Sequence, residues 1–223
     1  MHIEDNILRA LLKNVYFFNG TAYAGKSTMV HLLAEKYHGI ECGENYHDAL
    51  MSAIDPEHQP NLSYISHTMK SWQEFVTRSP EAYHNWLEGC SREAVSLELP
   101  ILLGLVGQGK PIFVDTNISV EYLKRISDVR HVAIMVSPPS MSVDRFFDRP
   151  DAEKQFIYQE LMRCPDPEAA LENYRAVLAR VNSPENYRKF EESGFAVFYR
   201  REDSTIPEML AALERHFGLA EEG

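Results

Sequence analysis

The sequence predicts an α/β protein: one parallel sheet of five strands with helices on both faces. Three observations carry this. Short apolar runs alternate with longer stretches of helical periodicity along the chain. A turn bracketed by glycines, Gly20 to Ser27, joins the first apolar run directly to the first helical stretch. Two helix-rich intervals, about Glu44 to Gly109 and about Pro138 to Ser193, are too long to be simple crossovers. Residues 1–223 therefore read as one domain carrying two insertions.

The elements follow in order. Val15-Tyr16-Phe17-Phe18 is β-branched and aromatic, the composition of a buried strand. After the glycine turn, Met29, Leu32, Leu33 and Tyr37 fall on one face of a helix, with Gly39 as its stop. Further strands are predicted at Ile40 to Cys42, Pro111 to Val114, His131 to Val136 and Phe195 to Tyr199. Helix starts are marked by a capping residue, a proline at the first helical position and a glutamate next. This signature stands at Ser79-Pro80-Glu81, Asp166-Pro167-Glu168 and Ser183-Pro184-Glu185, with Asp55-Pro56-Glu57 as a candidate fourth. Thr205-Ile206-Pro207-Glu208 is a capping box that opens a last helix closed by Gly218. Within the first insertion, Trp72, Phe75, Tyr83, Trp86 and Leu87 are spaced to form a small core of their own, while His67 and Lys70 are candidate substrate contacts.

Composition narrows the function. With 22 basic and 33 acidic residues the formal charge is −11, which disfavours nonspecific binding to nucleic acid or to membrane surfaces. No apolar run is long enough to span a bilayer, and the acidic start Met1-His2-Ile3-Glu4-Asp5 lacks a signal-peptide core. Cys42, Cys90 and Cys164 form no C-x-x-C pair, which points to a reducing compartment and away from a disulfide framework or zinc site. A cytoplasmic protein is expected.

Gly20-Thr21-Ala22-Tyr23-Ala24-Gly25-Lys26-Ser27 fits the phosphate-loop pattern G-x-x-x-x-G-K-[ST] at every specified position. In such a loop the backbone N–H groups, from Gly20 through Thr28 here, wrap nucleotide phosphates. The lysine reaches the outer phosphates and the hydroxyl of Ser27 ligates magnesium. The strand before it and the helix after it supply the context the motif needs, because the helix N-terminus points its partial positive charge at the anion. Asp115, ending an apolar strand, is the second candidate for the metal, holding it through a water; the alternative is an aspartate that only caps the next turn or helix. Arg145 and Arg149, four apart, share a helical face from which two guanidinium groups can close on a phosphoryl group, or else pair with Asp144 and Asp148. Glu44, just past the second strand, is placed to accept or orient an acceptor's hydroxyl proton, or it is a plain loop carboxylate. Arg200, after the fifth strand, either stacks on a nucleotide base or is an ordinary strand-end cation.

With these residues the chain resembles the P-loop kinases of small molecules, the group that includes nucleoside-monophosphate, shikimate and dephospho-coenzyme A kinases. The resemblance runs over most of the chain as an order of elements, and is specific at Gly20 to Thr28, Asp115, Arg145 and Arg149. It implies the P-loop NTPase fold, an acceptor-binding helical insertion at 44–109 and an arginine-bearing lid at 138–165. It also implies ATP and Mg2+ as cofactors, with Lys26, Glu44, Arg145 and Arg149 as the residues of phosphoryl transfer to a small-molecule acceptor. Two departures stand out: Tyr23 occupies a position where many members carry a third glycine, and the lid has few arginines for a nucleoside-monophosphate kinase. A P-loop NTPase or nucleotide switch acting on a protein partner is the alternative. No N-K-x-D base-reading motif accompanies the loop, and no glutamate or glutamine stands beside Asp115 to orient water.

Overall fold

Five strands, all parallel, form one sheet in the order β2-β3-β1-β4-β5. The computed structural model describes residues 3–143, 146–147 and 152–219. In chain order the elements are α1 (Asp5–Leu11), β1 (Val15–Gly20), α2 (Lys26–Lys36), β2 (Ile40–Cys42), α3 (Trp72–Val76) and α4 (Pro80–Leu105). There follow β3 (Ile112–Asp115), α5 (Val120–Ile126), β4 (Val132–Val136), α6 (Pro139–Ser142), α7 (Ala152–Met162), α8 (Pro167–Val181), α9 (Pro184–Glu191), β5 (Ala196–Tyr199) and α10 (Ile206–Phe217). Among the described residues no helix is long and apolar enough to cross a membrane.

The period of two along each strand sorts its side chains between two cores. Val15 and Phe17 of β1, Ile112 and Val114 of β3, and Val132, Ile134 and Val136 of β4 face a layer built from α1, α4 and α5. Phe18, Phe113, Ala133 and Met135 face the other way, onto Met29, Val30 and Leu33 of α2 and onto Leu213 and Phe217 of α10. A third cluster lies apart from the sheet, where α3, α4, α7 and α8 meet around Phe75, Leu161 and Tyr174. Trp72, Tyr83 and Trp86 pack against it as the spacing predicts, whereas Leu87 is 38% exposed and stands outside it.

The proline-marked starts are helix starts for a stated reason. Ser79, Asp166 and Ser183 each accept the N–H three residues on, and Thr205 with Glu208 forms the full reciprocal box. Asp55 also accepts from the Glu57 and His58 amides, but no helix follows. Pro60 arrives within one turn, lacks the N–H that propagation needs and disfavours helical backbone at the residue before it. Gly39 is also not the left-handed stop of α2. His38 takes that conformation, with φ 51°, and the Gly39 N–H closes the helix on the Ala34 carbonyl at 2.9 Å. Glycine is needed at 39 for room, since a Cβ there would lie 2.7 Å from the Pro111 oxygen and 2.9 Å from the Phe113 ring.

Candidate functional site

The loop between β1 and α2 sits at the carboxyl edge of the central strand, where β3 and β4 flank it. Gly20 is the last residue of β1, paired with Met135. Its φ is 126°, and a Cβ would fall 1.9 Å from the Met135 oxygen, so only glycine lets the chain turn out of the sheet here. Asn19 accepts from the Gly20 amide and reaches across to the Ile118 carbonyl at 2.8 Å, tying the loop entrance to the end of β3. On the other side, Ser137 donates its N–H to Thr21 Oγ1 at 2.8 Å and its hydroxyl to the Ala22 carbonyl at 2.7 Å. Tyr187 donates to the Ser137 carbonyl in turn. The loop is thus fixed from both neighbouring strands.

Gly25, with φ 92°, is the residue before α2, and it gives that helix no side-chain cap. The first turn of α2 also carries no acidic residue. The leading amides of Lys26, Ser27 and Thr28 therefore have no side-chain acceptor at the helix's positive end, an arrangement suited to an anion.

Strand parity then brings the acid. Asp115 follows Phe113 on the α2 face of β3, is 2% exposed, and accepts the Ser27 hydroxyl at 2.8 Å. Lys26 Nζ lies 3.7 Å from the other carboxylate oxygen and donates to the Thr21 carbonyl at 3.2 Å. A hydroxyl and a carboxylate in contact offer hard oxygen donors, the set that magnesium prefers, so these residues fit that ion.

Thr116, one residue on, points to the opposite face and finds a group the sequence reading did not single out. Glu98, in the middle of α4, is fully buried and accepts from the Thr116 hydroxyl at 2.5 Å, the Asn117 amide at 2.9 Å and the Tyr46 hydroxyl at 3.1 Å. Burial pushes its pKa up to about 7, with the nearby Asp115 charge adding to the rise while the three donors oppose it. His47, also buried, brings Nδ1 to 3.9 Å from Glu98, and burial holds that imidazole below its ordinary pKa. The sequence did carry a signal: Glu98 is a lone carboxylate in the apolar run from Leu97 to Leu102.

Glu44 lies in the turn after β2, exposed, its carboxylate without a partner among the described residues. Asn117 Nδ2 donates to the Glu44 carbonyl at 3.3 Å, which puts this turn against the end of β3, two residues beyond Asp115. Glu41 instead pairs with His31 at 2.9 Å on the exposed side of α2. His67 and Lys70 are exposed, and the insertion's His84 is buried against α9.

Arg145 and Arg149 lie outside the described residues. Within the second insertion Phe146 meets the loop, its carbonyl accepting the Tyr23 hydroxyl at 3.0 Å, and so does Lys154 of α7, its ammonium 4.9 Å from the centre of the Tyr23 ring. Arg200 also reaches the loop, donating from Nη1 to the Tyr23 carbonyl at 2.6 Å. Together with Ser137, Pro138, Tyr187, Tyr199 and Arg201 it lines a cavity of about 590 Å³ at the ends of β4 and β5. That volume is in the range of small-ligand sites.

Neither a scan against protein-family models nor a search of curated proteins finds a match to this chain.

Proposed function

We propose that the protein is a kinase of the P-loop type, transferring a phosphoryl group from ATP to a small-molecule acceptor with magnesium. One observation carries the reading: Lys26 and Ser27 both meet the Asp115 carboxylate, at 3.7 and 2.8 Å, at the uncapped N-terminus of α2. Few other tasks ask for a lysine, a hydroxyl and a buried carboxylate at the mouth of a glycine loop. The order of elements and the resemblance to small-molecule kinases support the same reading.

In this reading the loop amides hold the β-phosphate and Lys26 spans the β- and γ-phosphates. Ser27 and, through a water, Asp115 would hold magnesium, which when bound would neutralise charge on the phosphate oxygens. Glu44 orients or deprotonates the acceptor hydroxyl from the turn beside β3. Arg145 and Arg149 complete the charge stabilisation from the second insertion, and the cavity beside Arg200 takes the base. Phosphoryl transfer demands positioning and electrostatics more than covalent work from the protein, and rigid loops on a sheet edge suit that demand.

The test is incubation with γ-labelled ATP, Mg2+ and a panel of metabolites bearing hydroxyl or phosphate groups. Transfer of label to one compound supports the kinase. Release of inorganic phosphate whatever the acceptor would instead favour a P-loop NTPase or switch acting on a protein. Lys26→Ala is the control: unchanged nucleotide affinity in that variant refutes the site.

A further inference from the structure

We propose that Tyr23 is a positioning residue that couples phosphate occupancy of the glycine loop to the seating of α7 against it. The inference rests on the nucleotide-binding reading of that loop. It starts from a backbone outlier. Tyr23 has φ 65°, a conformation that glycine adopts freely and an aromatic residue does not. A bulky side chain kept at such a position points to work done by the side chain, and such outliers persist where their surroundings over-determine them.

The surroundings of Tyr23 do so from three directions. Arg200, beyond β5, donates to its carbonyl at 2.6 Å. The Tyr23 hydroxyl donates to the Phe146 carbonyl at 3.0 Å, and the Phe146 ring meets the Tyr23 ring edge-on at 6.3 Å between centroids. Lys154, in the first turn of α7, sets its ammonium 4.9 Å from the Tyr23 ring centre and 5.9 Å from that of Phe146. Further along α7, Phe156 packs edge-on against Trp72 of α3 at 4.9 Å, and Glu160 accepts from Gln73 of α3 at 2.7 Å. A continuous chain of contacts therefore runs from the phosphate loop through α7 into the helical cap.

The coupling follows from the geometry. Loop amides can converge on a phosphate only when the turn at Tyr23 is held, and holding that turn fixes the direction of the ring on which Lys154 rests. By linkage the effect is reciprocal: α7 seated on Tyr23 pre-forms the loop. A glycine here would bind phosphate without telling the cap.

Hydrogen exchange on the 223-residue chain tests this, read in the α7 segment 152–162, with and without the non-hydrolysable analogue AMPPNP and Mg2+. Without nucleotide, Tyr23→Phe, which removes the hydroxyl bond to Phe146, the residue whose ring Lys154 of α7 also meets, is expected to speed α7 exchange about fivefold, the order of one hydrogen bond. Lys154→Met, which removes the cation from the α7 side, is expected to act in the same direction. Tyr23→Gly is expected to bind AMPPNP yet lose the nucleotide-induced slowing of α7 exchange, and to release the analogue about tenfold faster. A tyrosine that is merely structural would alter the melting temperature and leave nucleotide-dependent α7 protection intact. Two results overturn the proposal: equal nucleotide-free exchange in the wild type, Tyr23→Phe and Lys154→Met, or wild-type protection of α7 by AMPPNP in Tyr23→Gly. Failure of the wild type to bind AMPPNP at all refutes the nucleotide reading and the coupling with it. The nucleotide-free comparison still reads the Tyr23 contact by itself.

Discussion

Replacing Glu98 by glutamine gives a stability difference that depends on pH in a calculable way. In the unfolded chain this carboxyl titrates near its ordinary value of 4.5, and in the fold burial pushes it up to about 7. A raised folded pKa means that the native state holds the proton more tightly than the unfolded state. The favourable contribution is complete below about pH 4.5, declines as pH rises towards 7, and is gone above it. Across that window the shift is worth about 3 kcal/mol, from the standard conversion of pKa to free energy. Glutamine keeps the shape and does not titrate. It also meets the Thr116, Asn117 and Tyr46 donors with one acceptor oxygen instead of two, a fixed penalty that cancels when two pH values are compared. The assay is urea unfolding of wild type and Glu98→Gln at half-unit steps from pH 4.5 to 8.5. The variant should gain on the wild type by about 3 kcal/mol over the range, or roughly 6–12 °C in Tm for a chain of this size. A difference flat to within about 0.5 kcal/mol across the range refutes a titrating Glu98.

Three further outcomes are expected. Gly20→Ala drives a Cβ into the Met135 carbonyl at a φ of 126°, and should cost about 3 kcal/mol or more, read as loss of the urea transition midpoint or of soluble protein. Asp115→Asn removes the charge opposite Lys26 and Ser27 while keeping the shape. The concentration of Mg2+ needed to support nucleotide binding, titrated calorimetrically, should rise about tenfold or more, and an unchanged requirement would remove Asp115 from the metal site. Thr205→Ala breaks the capping box of α10 and should lower stability by about 1 kcal/mol in thermal unfolding without altering nucleotide affinity.

Much of this architecture was legible because local signals and tertiary structure agree. The apolar runs became strands to within about two residues, since buried parallel strands need continuous apolar character whatever their neighbours do. The proline-marked caps became helices wherever the following residues could propagate one, and Asp55-Pro56-Glu57 did not because of Pro60. Lys26, Ser27 and Asp115 were readable together because a motif and a strand end specify them at short range. Glu98 was harder to read. Its partners lie on two other segments, and a carboxylate in an apolar helix declares its role only when those donors are in place. Lys154 and the clamp of Arg200 on Tyr23 escaped for the same reason, being contacts across 131 and 177 residues of sequence, respectively, that no periodicity encodes.

The division of Asp115 and Thr116 between the two faces of the sheet bears on how this gene can vary. Substitutions along Ile112 to Val114 that keep the volume leave the odd-even phase alone, and a family of sequences can drift through them. A single-codon deletion there is another matter. It would turn Thr116 towards Ser27 and carry an acid round to Glu98, stripping one site of its charge and crowding two carboxylates into the other. Length variation should therefore be purged from this strand and admitted in the turns on either side, so that its spacing outlives its spelling.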